Sequence, residues 1–222
     1  MFSTILFDLD GTLVDLCEIH RAAFRRALED YSDAPRPRYS GADSEAWFLP
    51  APGADPIFES DLEALPTKEK LRKLGVVGPL ALQVAAAKQL HTTSEENLKA
   101  IRPNPQLVSM LRGLRARVPL GCVTNSVSAS AHAFLDRAGL LPYMDVAVSN
   151  EDAPRPKPAP DLYLAALDRL GLSENPGGVL VLEDHPKGIA AAEAAGCVVL
   201  PATHDSIHLL GPLLHRILDA KR

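Results

Sequence analysis

The chain has 222 residues, enough for one α/β core and a smaller satellite. Its net charge of −5 argues against nucleic acid or an anionic membrane surface as the main partner. No apolar segment reaches the roughly 18 residues that a membrane span needs. The three cysteines, Cys17, Cys122 and Cys197, are far apart and odd in number, and the last two lie in apolar runs. They read as buried free thiols in a reducing compartment. With no basic-apolar leader before the first strand, the expectation is a cytoplasmic protein.

The first element is an apolar run, Ile5-Leu6-Phe7, of the kind that forms a strand buried on both faces of a parallel sheet. Asp8, Asp10, Gly11 and Thr12 follow at once, and Asp15 stands as the N-cap of a helix over 16–30. Leu16, Ile19, Ala23, Phe24, Ala27 and Leu28 give that helix its apolar face. Residues 32–58 carry Pro35, Pro37, Pro50, Pro52 and Pro56 with Gly41 and Gly53, which break any regular element. A loop of that length suggests a functional or mobile segment, with Trp47 and Phe48 packing beneath it. Ser60-Asp61-Leu62-Glu63 is a capping-box pattern, and Pro66 interrupts the helix it opens. Helical character resumes through Leu71 and Leu74 to Gly75, and an alanine-rich helix covers 78–90.

From residue 93 strands and helices alternate. A helix over 104–116 precedes a strand over 118–123, and a helix over 127–138 ends at Gly139. Val146–Val148, Gly178–Leu182 and Cys197–Leu200 read as further strands. Helices over 160–170 and 187–195 lie between them, and a last helix starts near 206. This alternation predicts an α/β fold with a doubly wound parallel sheet. Residues 1–15 and 91–222 would form the core, and 16–90 an inserted helical cap.

The chemistry sits at the strand ends, where open α/β sheets bind their ligands. Asp8 and Asp10 repel each other unless a cation or hydrogen bond offsets their charge. Mg²⁺ is the hard cation that suits carboxylates and phosphates together. The strand over 118–123 runs into Thr124-Asn125-Ser126, and Lys157 lies in Arg155-Pro156-Lys157-Pro158-Ala159-Pro160-Asp161. The strand at 178–182 ends in Glu183-Asp184, followed by His185-Pro186-Lys187-Gly188-Ile189. Together with the opening Asp8-Leu9-Asp10-Gly11-Thr12, these four segments resemble, in order, the motifs of the haloacid dehalogenase superfamily of phosphotransferases. The resemblance covers essentially the whole chain. It is closest to the subfamily of β-phosphoglucomutase and small sugar-phosphate phosphatases.

The resemblance implies a role for each residue. Asp8 is the nucleophile that forms an aspartyl-phosphate, splitting a very slow hydrolysis into two easier displacements. Asp10 protonates the leaving oxygen and later takes a proton from water. Asp8, the backbone carbonyl of Asp10 and Asp184 form the Mg²⁺ site, with Glu183 a second contributor, direct or through water. Thr124 and Asn125 meet the phosphoryl oxygens near a helix N-terminus that favours anions, while Ser126 or Ser128 suffices to cap that helix. Lys157 brings a compact cation to the same oxygens. His20 matches a histidine of β-phosphoglucomutase and is a candidate substrate contact. Thr67 and Lys70 are placed on the substrate-facing side of the cap helix. His185 follows Asp184 as a helix cap without an assigned role.

Neighbouring reactions on this architecture fit less well. A haloacid dehalogenase needs no metal and no Asp10 with Glu183 and Asp184. A phosphonoacetaldehyde hydrolase needs a Schiff-base lysine where Thr67 aligns, with Lys68 and Lys70 nearby. A β-phosphoglucomutase carries a Gly and an Arg where this chain has Ala64 and Thr67, and that arginine holds its second phosphate. A catalytically silent binding protein on this fold is opposed by the filled catalytic positions. The reading is therefore a Mg²⁺-dependent phosphatase of a small phosphorylated metabolite, a sugar or polyol phosphate, with the mutase as runner-up. The chain is expected as a monomer or weak dimer.

Overall fold

The computed structural model describes residues 2–31 and 67–219. The elements in chain order begin with β1 (Thr4–Phe7), α1 (Cys17–Glu29), α2 (Thr67–Lys73), α3 (Gly78–Thr92) and α4 (Glu95–Ala100). Next come α5 (Pro105–Arg115), β2 (Leu120–Val123), α6 (Ser128–Arg137), β3 (Val146–Val148) and α7 (Asp161–Arg169). β4 (Val179–Glu183), α8 (Pro186–Ala194), β5 (Val198–Pro201) and α9 (Gly211–Asp219) complete the series. The Pro-rich 32–58 segment, Trp47, Phe48, the capping box at 60–63 and Ala64 lie outside the described residues. Contacts divide the chain into two compact units, Met1–Cys17 with Leu98–Arg222, and Glu18–Asn97.

The first unit is built on a parallel five-stranded sheet of order β3-β2-β1-β4-β5. β1 is buried along its whole length, as its unbroken apolar run requires. It pairs Phe7 with Cys122 of β2 on one side and with Leu182 of β4 on the other. The winding reverses at β1, so the crevice beyond its C-terminal end is the ligand-binding position of such sheets. Gly121 keeps β2 close to its neighbours. A Cβ there would meet Val146 Cγ1 at 2.5 Å and Leu6 Cδ2 at 2.7 Å. One face of the sheet packs Leu6, Val123, Val148 and Val181 against Leu162, Tyr163, Ala191 and Ala192.

Several boundaries differ from the sequence reading. The strand expected from Val118 starts at Leu120, because the Val118 amide still bonds back to Leu114 of α5. α4 is an unanticipated helix of 6 residues with none buried, too short to show a periodicity. The last helix is split into a 3₁₀ turn at Ile207–Leu210 and α9.

In the second unit Phe24, Ala27 and Leu28 of α1 pack with Leu71, Val76, Val84 and Ala87. α2 ends where Gly75 turns left-handed at φ +74°, with the Val76 amide bonded to the Leu71 carbonyl. That is the glycine stop the pattern predicts. No helix among the described residues is long and apolar enough to cross a membrane.

Candidate active site

Asp8 is fixed by the sheet itself, since its amide continues the ladder by donating to Leu182 O at 2.9 Å. The chain then turns tightly. The Leu13 and Val14 amides return to Leu9 O, the Gly11 amide bonds Val14 O, and Asp10 Oδ1 accepts from the Leu16 amide at 3.0 Å. Gly11 sits at φ +85°, and a Cβ on it would overlap Asp184 Oδ2. Glycine is therefore needed twice here, for the turn and for the approach of that carboxylate. Thr12 Oγ1 donates to Asp184 Oδ1 at 2.9 Å, and the His204 amide holds Gly11 O at 2.6 Å.

At the end of β2, Thr124 is buried and its hydroxyl oxygen accepts from the Ser126 amide at 3.1 Å. Asn125 bonds both backbone groups of Lys157. Its Oδ1 accepts from Lys157 N at 2.9 Å, and its Nδ2 donates to Lys157 O at 3.3 Å. The expected serine cap of α6 is absent. The N-cap is Val127, and Glu151 Oε2 accepts from the Ser128 amide at 2.7 Å. An internal carboxylate thus takes the anion-favouring position at this helix start. The sequence offered no hint of it, because Glu151 arrives from the loop after β3.

Lys157 lies under the strand ends with its side chain 4 % exposed. All three of its N–H groups are engaged, to Asp8 Oδ1 at 2.7 Å, Val123 O at 2.8 Å and Glu183 Oε2 at 2.7 Å. Burial alone would pull its pKa down, but Asp8, Tyr163 and Glu183 around it hold it well above the usual lysine value. Burial pushes the Asp8 carboxyl up to about 8, against the opposing pull of Lys157. Burial likewise raises the half-buried Asp184.

Oxygens of Asp8, Glu183 and Asp184 lie within 4.8 Å of one another. With these carboxylates ionised, three negative charges face the single ammonium of Lys157, and a divalent cation would balance the excess. The donor set is all oxygen, as Mg²⁺ requires. Lys157 takes Asp8 Oδ1 and Thr12 takes Asp184 Oδ1, so the second oxygen of each carboxylate would be the one offered to a cation. The residues present fit the ion.

Tyr163 is the buried group that sequence reasoning missed. Its hydroxyl donates to Glu183 Oε2 at 2.9 Å, and Lys157 Nζ stands 4.9 Å from its ring centroid. In the sequence it reads only as part of the apolar stripe Leu162, Tyr163, Ala166, Leu167 of α7. His185 caps α8 as expected, its Nδ1 accepting from the Lys187 amide at 3.0 Å. His20, Thr67 and Lys70 belong to the second unit. His20 Nδ1 lies 3.1 Å from Lys88 Nζ, and Thr67 opens α2. The Lys70 ammonium, expected at the edge of the substrate-facing side, stands over the Phe24 ring, 5.7 Å from its centroid.

A parallel sheet with paired acids, a hydroxyl and a lysine at its winding reversal defines a phosphotransferase-type α/β hydrolase site. Residues 2–196 match the family model of haloacid dehalogenase-like hydrolases, and the chain belongs to that family. It is 29% identical to the fructose-1-phosphate phosphatase YqaB of Escherichia coli strain K12, over 88% of this chain and 93% of that one. It is 31% identical to the validoxylamine A 7'-phosphate phosphatase of Streptomyces hygroscopicus subsp. limoneus, over 93% and 89% respectively. Among solved structures, CbbY from Rhodobacter sphaeroides in complex with phosphate superposes with a TM-score of 0.66 at 25% identity, covering 92% of this chain and 88% of that one. A β-phosphoglucomutase from Clostridium difficile gives a TM-score of 0.70 at 19% identity, covering 99% and 98%, and supports the fold alone.

Proposed function

We propose that this chain is a Mg²⁺-dependent phosphomonoester hydrolase acting on a small sugar or polyol phosphate through an aspartyl-phosphate. The observation that carries this reading is the buried Asp8–Lys157 pair, 2.7 Å apart, at the end of β1, with the Asp184 carboxylate beside it at the end of β4. Asp8 attacks phosphorus as the ester P–O bond breaks, and Asp10 gives a proton to the departing oxygen. Asp10 then takes a proton from water as that water attacks phosphorus and the Asp8–phosphorus link breaks. Thr124 keeps its hydroxyl proton for a phosphoryl oxygen, since its oxygen is the acceptor in the Ser126 bond. Lys157 offsets the charge that Asp8 and the phosphoryl group bring together. Asp8, Asp184 and the carbonyl of Asp10 would hold Mg²⁺, whose charge offsets that of the phosphoryl oxygens.

The substrate class rests on the curated relatives, which include a fructose-1-phosphate phosphatase, a hexitol phosphatase and a phosphatase of phosphorylated carbohydrates. Those names favour hydrolysis over phosphoryl relay, as does the absence of an arginine at Thr67. Phosphate release should be measured from hexose, hexitol and glycolate phosphates and from p-nitrophenyl phosphate, with Mg²⁺ and after chelation. Turnover should require Mg²⁺, favour a sugar or hexitol phosphate, and vanish in Asp8→Asn. Full activity after exhaustive chelation, or in Asp8→Asn, would refute the mechanism.

A further inference from the structure

Glu183 and Asp184 are adjacent in sequence but differ in their surroundings. Both Glu183 oxygens are already engaged. Oε2 accepts from Lys157 Nζ at 2.7 Å and Tyr163 OH at 2.9 Å, and Oε1 accepts from the His185 amide at 3.3 Å. The carboxylate is also wedged beneath the first turn of α8, where a Cβ on Gly188 would overlap it. Its side chain is 2 % exposed. Asp184, by contrast, is half-buried and spends one oxygen on Thr12. Mg²⁺ sites of this kind usually take one or two carboxylates together with substrate phosphate. Asp8 and Asp184 already supply two.

Resting on the phosphatase reading, we propose that Glu183 and Tyr163 are a positioning pair that fixes the Lys157 ammonium against Asp8, and that Glu183 is not a metal ligand. A buried lysine on its long stem would otherwise choose among rotamers. Glu183 Oε2 gives it one bond, and the Tyr163 ring closes the space beside it. The Tyr163 hydroxyl in turn orients the carboxylate, by donating to the same oxygen that receives the ammonium. The aim of Lys157 would thus be set from β4 and α7, while Val123 O of β2 supplies the remaining bond.

The test compares Glu183→Gln, Asp184→Asn and Tyr163→Phe in the full chain. Thermal unfolding serves as the folding check, and Mg²⁺ affinity is measured by calorimetry alongside p-nitrophenyl phosphate turnover. Asp184→Asn should bind Mg²⁺ at least about tenfold more weakly than Glu183→Gln does. At saturating Mg²⁺, Glu183→Gln should lose about 10²-fold in kcat with KM little changed. Tyr163→Phe should lose about tenfold, the worth of one hydrogen bond to a charged group. The double variant should be no slower than Glu183→Gln alone, because the hydroxyl acts only through that carboxylate. Glu183→Gln binding Mg²⁺ as weakly as Asp184→Asn would make Glu183 a ligand and overturn the proposal. Wild-type kcat in Tyr163→Phe, or additive losses in the double variant, would also overturn it. If Glu183→Gln fails to fold, Tyr163→Phe decides through kcat at unchanged Mg²⁺ affinity. A wild-type chain that binds Mg²⁺ yet hydrolyses no phosphoester would refute the phosphatase reading, while the affinity comparison would still decide the place of Glu183.

Discussion

The strand ends of the sheet unit and the Glu18–Asn97 unit hold their charged groups in opposite ways. In the sheet unit Asp8, Lys157 and Glu183 are buried together, and Lys157 uses every proton it has. In the Glu18–Asn97 unit the described charge pairs are surface contacts, such as Arg26 with Glu96, 62 % and 79 % exposed. That unit is held by the apolar cluster around Phe24 and Leu71. The contrast teaches where preorganisation lies. Buried charges are costly to leave unpaired, so a site made of them is rigid and intolerant of change. Exposed pairs contribute little and leave their surface free to diverge.

The comparison can be broken at its strongest point first. Lys157→Ala leaves Asp8 and Glu183 buried without their common cation. It should lower kcat by about 10²–10³-fold, as loss of a charge-stabilising donor typically does. A kcat within twofold of wild type would mean that the buried network does not serve turnover.

Gly11→Ala is next. The added methyl would overlap Asp184 Oδ2 and force a non-glycine residue to φ +85°. Displacing that carboxylate should weaken Mg²⁺ about 10–100-fold by calorimetry, the usual range for a disturbed metal shell. Unchanged affinity would remove Asp184 from the ligand set.

A pH experiment sharpens the same contrast. Burial pushes the Asp8 carboxyl up to about 8, so a protonated fraction is expected at pH 7 in the metal-free chain. A cation needs the carboxylate, so Mg²⁺ uptake at pH 7 should release protons into a weak buffer. The release should fade as pH rises past 8, and Asp8→Asn should abolish it. Uptake with no proton released at pH 7 would contradict the buried, protonated state.

The smallest effect is expected in the other unit. Arg26→Ala should change unfolding free energy by no more than about 1 kcal/mol, as for exposed pairs generally. A loss several times larger in a denaturant titration would show that this surface is as tightly built as the sheet.

The sequence showed the strand ends well. Asp8, Thr124 and Asp184 follow apolar runs and Lys157 lies upstream of a helix, so short-range pattern could single them out. What it hid are contacts between segments distant in the chain. Tyr163 reads as core until β4 brings Glu183 to its hydroxyl. Glu151 reads as a loop acid until it meets the Ser128 amide. Likewise the pair Glu183-Asp184 looks like one acidic motif, yet the alternation of the strand sends one carboxylate into the core and leaves the other half-exposed.

The two hydrogen bonds between the Asn125 side chain and the Lys157 backbone tie two loops together. Neither the Thr124 loop nor the lysine loop can lift away without rupturing the same amide clasp. Breathing of the site should then be all-or-none. Hydrogen–deuterium exchange at the Lys157 amide, which donates to Asn125 Oδ1, would report the free energy of releasing the hydroxyl donor and the counter-charge together.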